Sequence, residues 1–253
     1  MKIILSPAKS LDFENAKQIK NATTPHFIED SEKLIGKLKK YSPKKIKTLM
    51  SVSDAIAELN YERFQNWNFP FKDDAKPAAY VFTGEAYRGL DAASLNDKEQ
   101  NILNNRLRIL SGLYGILRPN DLILPYRLEM GTSMKVTPKT TNLYKFWGEK
   151  LKLHLEEEME EDEVLVNVAS NEYNKSLMLK KFNRKVITCH FKEAKGNDYK
   201  AIMTFAKKAR GYMTRFIVQN DIQKIDHLKA FDTDGYIFNP GLSSETEFTF
   251  TRG

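Results

Sequence analysis

LSGLYGILRPNDLILPYRLEMG, residues Leu110–Gly131, carries three glycines, two prolines and two arginines. Just upstream, Arg106-Leu107-Arg108-Ile109 alternates polar and apolar residues, which reads as a short strand. The strand runs into Gly112-Leu113-Tyr114-Gly115, where a missing Cβ lets a second backbone or a phosphate come close. Pro119 and Pro125 forbid a continuous helix over 116–126. The stretch therefore reads as a strand opening into a stiff, folded, basic loop. As a packing device it needs only its glycines. As a binding loop it offers Arg118 and Arg127, with Tyr126 between them.

Outward from this centre, strands and helices alternate. Lys2–Leu5 reads as a buried strand stopped by Ser6-Pro7, with Lys9 and Asp12 at its exit, where α/β proteins place sites. Val164–Val168 is a second buried strand, followed at once by Asn171-Glu172-Tyr173. Ala79–Phe82 reads as a strand and Tyr87-Arg88-Gly89 as loop. Lys185–His190 is expected to pair with Tyr199–Met203 across a longer loop containing Gly196-Asn197. Tyr236–Phe238 and Glu247–Thr251 are expected as two strands joined through Pro240-Gly241. Helical spacing covers 27–40, a segment begun by Ser42-Pro43, about Asp54–Trp67, Lys98–Asn105, Asn142 to about Glu160, and Thr204–Gln219. The acidic run Glu156–Glu163 opposes the helix dipole, so fraying and a solvated face are expected there. There is no internal repeat and no linker. The fold class is α/β, mixed α+β: one domain over 1–253, a mixed sheet flanked by helices, with a helical subdomain at about 27–68.

The 253 residues are 41% apolar, which permits a sizeable core and argues against general disorder. The net charge of +7 tilts the choice of partner toward anions. The single cysteine, Cys189, excludes an internal disulfide framework and suits a reducing compartment. The N-terminal apolar run is too short for a signal peptide, and no run is long enough to span a membrane, so a cytoplasmic protein is expected. His26, His154, His190 and His227 show no metal-ligand spacing, and Cys189-His190 on a strand point to opposite faces. No phosphate-binding loop, dinucleotide fingerprint or nucleophile elbow occurs, so no cofactor or metal is expected.

Several blocks resemble one family. Besides SGLYGILRPNDLILPYRLEMG these are Ser6–Asp12, Phe82–Leu90, Asn142–Trp147, Ala169–Tyr173 and Ala206–Gly211. In this order, along the whole chain, they are similar to the YaaA family of bacterial peroxide-stress proteins. The resemblance implies a cytosolic protein that limits peroxide damage, lowers available iron and binds DNA in a basic cleft. Leu49–Ala57 also resembles a helix-hairpin-helix, with Ser51 and Ser53 where that motif carries glycines. Backbone amides at the start of the second helix would face a phosphate, with Lys44, Lys45 and Lys47 adding charge. An ordinary helix pair with Ser53 as N-cap reads equally well.

On a helical wheel for Thr204–Gln219, Ala206, Ala209, Met213, Phe216 and Ile217 share one face. Lys207, Lys208 and Arg215 take the other, with Gly211 between them and Arg210 toward the edge. Such a face suits a long anion; close helix packing at Gly211 explains the glycine as well. Two functions remain. In the first, Ser6, Lys9, Arg118, Arg127 and the basic helix line a cleft that binds DNA without chemistry, as duplex or as distorted or bubble structures, with Tyr126 or Tyr114 stacking on an unpaired base. A monomer is expected. In the second, Lys9 is nucleophile or acid of an enzyme acting on a nucleotide or nucleobase, with Asp12, Asn171 and Glu172 completing the site.

Overall fold

Ile3, Ile4 and Leu5 form an unbroken apolar run, and such a run suits a strand covered on both faces. The computed structural model, which describes residues 1–253, places it as β1 (Lys2–Leu5) inside an eight-stranded sheet. β2 (Leu107–Ser111) lies on one side of β1 and β4 (Leu165–Asn167) on the other, both parallel, with Ile3 opposite Leu107 and Val166. Beyond β4 come β5 (Val186–Lys195) and β8 (Glu247–Arg252), again parallel. Three strands run antiparallel: β3 (Gly115–Leu117) on β2, β6 (Asp198–Lys200) on β5, and β7 (Ile237–Phe238) on β8. The turn between β5 and β6 is the two residues Gly196-Asn197, tighter than the longer loop expected, because Gly196 takes a positive φ.

The helices are α1 (Ile28–Leu38), α2 (Pro43–Met50), α3 (Asp54–Asn66), α4 (Ala78–Val81), α5 (Glu85–Leu90) and α6 (Asp97–Arg106), then α7 (Leu143–Trp147), α8 (Lys150–Glu157), α9 (Asn171–Asn174) and α10 (Met203–Gln219). Local chemistry explains several ends. Ser42 caps α2 with Pro43 at its first position, and Asn96 with Glu99 forms a reciprocal capping box on α6. The helix expected over 142–160 breaks at Gly148, whose φ is +52°. α1–α3 contribute Leu34, Ile35, Leu38, Ile46, Ala57 and Phe64 to the same apolar core as the sheet. No helix is long and apolar enough to cross a membrane.

The short strand read from the alternation at 106–109 is present as β2, and it is buried throughout, Arg108 included. Three expectations are corrected. Ala79–Phe82 is not one strand: α4 occupies 78–81, and only Phe82–Thr83 pairs, with Ser10–Leu11. A four-residue apolar run carries no period to separate the two. Tyr87-Arg88-Gly89 is helical, within α5. The acidic run is a solvated face only in part: α8 ends at Glu157, and Glu157, Glu160, Glu161 and Asp162 are exposed, but Glu158 holds Arg108 Nε at 2.6 Å, and the buried Glu156 pairs with Lys152 at 3.0 Å and accepts the Asn183 N–H at 2.6 Å.

The glycines of the 110–131 stretch serve packing. Gly112–Tyr114 turns the chain from β2 into β3. A Cβ on Gly112 would lie 2.2 Å from the Leu128 carbonyl oxygen, and Gly115, at φ +72°, sits against the Trp147 ring. α10 and α5 cross just as closely. A Cβ on Gly211 would fall 1.8 Å from the Ala86 carbonyl oxygen, and one on Gly89 2.3 Å from that of Lys208. The glycine at the centre of the basic face is therefore covered by a helix and not open to an anion.

Candidate functional site

From β1 the chain crosses to β2 on one side, while β4 leads to β5 on the other. In open sheets with parallel strands, ligands bind beyond the carboxyl ends where the order reverses in this way. A cavity of about 720 Å³ lies there. Its walls are the loops after β1 (Ser6–Ser10) and β4 (Ser170–Tyr173), the start of α5 (Glu85–Arg88), the segment Tyr126–Glu129, and Met203, Lys207 and Arg210 of α10.

Five cations face three carboxylates across this cavity. Glu129 takes two of the cations, Lys9 at 2.8 Å and Arg127 at 3.0 Å. Arg88 pairs with Glu85 on its own helix, and Glu172 accepts the Gly131 N–H at 2.9 Å. Lys207 and Arg210 form no ion pair. Burial lowers the Arg210 pKa from the ordinary arginine value, and no carboxylate offsets that cost. The floor carries Tyr87, Tyr126 and Tyr173. The Tyr87 hydroxyl donates to the Ser6 carbonyl at 3.1 Å, and the Tyr126 and Ser111 hydroxyls share a hydrogen bond of 2.6 Å. Burial pushes all three phenols above their usual pKa, so they stay neutral at physiological pH.

Of the residues singled out from sequence, the fold gathers Ser6, Lys9, Tyr126, Arg127, Asn171, Glu172, Lys207 and Arg210 at this cavity. Ser6 Oγ accepts the Ser170 N–H at 2.9 Å, tying the two loops together. Others stand apart. Asp12 caps its own turn, accepting the Glu14 and Asn15 N–H groups at 3.0 Å. Arg118 follows β3, which runs back antiparallel to β2, so it emerges at the other end of the sheet, paired with Asp121. Arg215 donates to the Leu90 and Asp91 carbonyls and so caps α5. Lys208 lies over the Tyr212 ring outside the cavity. Tyr114 is fully buried, its hydroxyl held by Trp67 and Leu124, and cannot stack on a base.

α2 and α3 form a hairpin joined by Ser51–Ser53. Ser51 takes the left-handed conformation, φ +52°, that glycine adopts more easily. Its N–H and that of Val52 both donate to the Lys47 carbonyl, so neither is free for a phosphate. Ser53 caps α3 through Ile56 N–H, Lys47 pairs with Asp54 at 2.7 Å, and Lys44 and Lys45 are exposed. A second cavity, about 380 Å³, reaches from Leu49–Ser51 to Arg127, Glu129 and Glu172, so the hairpin turn and the main cavity share a wall.

Sequence reasoning missed Glu129 as the shared partner of Lys9 and Arg127, and Tyr87 and Tyr173 as floor. Tyr87 lay within a quoted block, but its reading as loop hid its direction. No group of three or more His, Cys, Asp or Glu side chains is arranged to hold a metal ion. Cys189 is buried in β5, and burial pushes its thiol up to about 12. The folded protein should therefore resist iodoacetamide and hydrogen peroxide at Cys189 at pH 7, reacting at least tenfold faster in denaturant; rapid sulfenic acid formation in the native state, read by mass spectrometry, would contradict this.

The family model described as peroxide stress protein YaaA matches residues 1–242. A UPF0246 protein of Hahella chejuensis is 48% identical over 100% of this chain and 99% of its own length. Others, from Aliivibrio fischeri and Flavobacterium psychrophilum, are 47% and 45% identical over the whole of this chain and 98% and 100% of theirs.

Proposed function

Because the chain belongs to the peroxide stress protein YaaA family, we propose that it serves the peroxide stress response by binding DNA without chemistry in the cleft above β1 and β4, limiting peroxide- and iron-dependent damage in the cytoplasm. The observation that carries this reading is the pair of uncompensated cations, Lys207 and Arg210, in a cavity that continues to the α2–α3 hairpin. Two cavities that share a wall suit a polymer of phosphates, and the exposed Lys44 and Lys45 on α2 add positive charge to the helix pair that borders them. No helix is placed to read base edges, so the backbone supplies the affinity and distorted structures are bound alongside duplex.

Affinity for duplex, bubble and single-stranded DNA should fall log-linearly with salt. Lys207→Ala should reduce the magnitude of the slope by roughly one unit for every sequence, with an unchanged melting temperature. A flat salt response of the parent protein would remove the proposal.

A second reading draws on the Lys9–Glu129 contact at the carboxyl end of β1: an enzyme acting on a nucleotide or nucleobase, with Lys9 as nucleophile or acid and Glu129 in the place expected for Asp12. Turnover of a nucleotide that Lys9→Ala abolishes without loss of binding would favour it.

A further inference from the structure

We propose that the main cavity is a site for a single nucleotide, with the base against the tyrosine-lined floor and the phosphate on Arg210 and Arg127. The volume of about 720 Å³ falls within the range of small-molecule sites, roughly 300–1,000 Å³. The hydroxyls of Tyr87 and Tyr126 are committed to Ser6 and Ser111, which locks the side chains, and with Tyr173 they show the cavity only a narrow apolar strip, each being 5–7% exposed. An apolar strip of this kind holds a base by contact and does not select one base over another.

The cationic wall is unfinished. Arg210 is half-buried without an acceptor, and Arg127 Nε is buried without a hydrogen-bond partner. Buried donors are costly to leave unpaired, and a guanidinium fits a phosphate through two parallel hydrogen bonds. The one anion now serving Lys9 and Arg127 is Glu129. A ligand phosphate takes over part of that role, so Glu129 is a placeholder whose displacement frees both cations. The proposal rests on the DNA-binding reading only for one of two sources of the nucleotide: a free monophosphate, or a nucleotide turned out of a strand lying in the cleft.

Calorimetry on the full chain with dAMP and dCMP tests the first source, with deoxyadenosine and inorganic phosphate as half-ligands. Both monophosphates should bind at least tenfold more tightly than either half. Arg210→Ala should weaken them at least tenfold at an unchanged melting temperature, and Glu129→Gln should tighten them several-fold. Phosphate binding as tightly as dAMP overturns the base site, and binding indifferent to Arg210→Ala overturns the phosphate position. A duplex with one unpaired 2-aminopurine tests the second source: protein binding should quench its fluorescence, and Arg210→Ala should abolish the quenching. Quenching without dAMP binding assigns the site to an extruded nucleotide. Absence of both, with salt-dependent DNA binding intact, overturns the site and leaves the DNA reading standing. Tight dAMP binding by a protein with no affinity for DNA does the reverse.

Discussion

Gly211→Ala should lower the stability of the fold by about 3 kcal/mol, the upper end of the usual overpacking cost. Alanine is the better helix former by about 1 kcal/mol, so local propensity pulls the other way. Packing wins because the new methyl would sit 1.8 Å from the Ala86 carbonyl oxygen and 2.7 Å from the Leu90 nitrogen, both backbone atoms of α5 that no rotamer change can move. The helices must separate, and each face of the crossing then loses its neighbour. Gly89→Ala should act in the same direction, since its methyl meets the α10 backbone. Gly36 supplies the control. It lies within α1 with nothing within 4 Å of its added Cβ, so Gly36→Ala should stabilise by up to about 1 kcal/mol. Urea midpoints with unchanged m-values measure all three. A Gly211→Ala variant as stable as the parent would show that the crossing is looser than described. Gly211→Glu would unfold the protein and so reports nothing about anion binding.

Glu158→Ala should cost about 3–5 kcal/mol, the effect of leaving a buried charge without its partner. Arg108 is 5% exposed in its side chain, and Glu158 is the one carboxylate within ion-pair distance that the sheet and α8 bring to it. Its remaining hydrogen bonds, to the Asn104 and Leu107 carbonyls, do not cancel the charge. The same pair sets an acid limb. Burial works to raise the Glu158 pKa, but the hydrogen bond and charge of Arg108 outweigh it, and the folded value lies below the ordinary one. A depressed carboxyl contributes stability that is present above the unfolded pKa, about 4.3, and lost as pH falls through the folded value. The parent should therefore lose stability below about pH 4.3 more steeply than Glu158→Gln, whose side chain does not titrate. Equal slopes for parent and variant, in denaturation midpoints from pH 7 to 3, would contradict the pairing.

What sequence revealed, and what it hid, follows from how far apart the interacting residues lie. β1 was legible because burial on both faces writes itself as a continuous apolar run, and β4 because Val164, Leu165, Val166 and Val168 leave that run broken only by the buried Asn167. The start of α2 was legible because Ser42 and Pro43 act on their own turn. The α5–α10 crossing was not. A glycine in a helix signals close approach, but Gly211 does not name its neighbour, which comes from residues 86–90. The acidic run was read only in part for the same reason: Glu157, Glu160, Glu161 and Asp162 are exposed as expected, but Glu158 meets Arg108 from a different strand. At the candidate site, Lys9 could be picked out as a cation at a strand exit, Arg127 as one in a stiff loop, and Lys207 and Arg210 as cations on a helix. Their convergence takes contacts between distant segments, and the exit of Arg118 at the opposite end depends on the antiparallel turn at Gly112–Tyr114. Nor could spacing show that Glu129 answers both Lys9 and Arg127, since Lys9 comes from a segment about 120 residues away.

The position of β1 also has a bearing on how the chain is made. Its residues leave the ribosome well before those they pair with, since Ile3 finds its neighbours only at Leu107 and Val166. At roughly 5–20 residues per second, a strand this apolar waits about 5–20 s for its first partner and longer for its second. The sheet cannot nucleate from its earliest strand, and the delay falls on sequence prone to aggregate while unpaired. A nascent chain halted short of residue 165 therefore holds β1 with one edge still open.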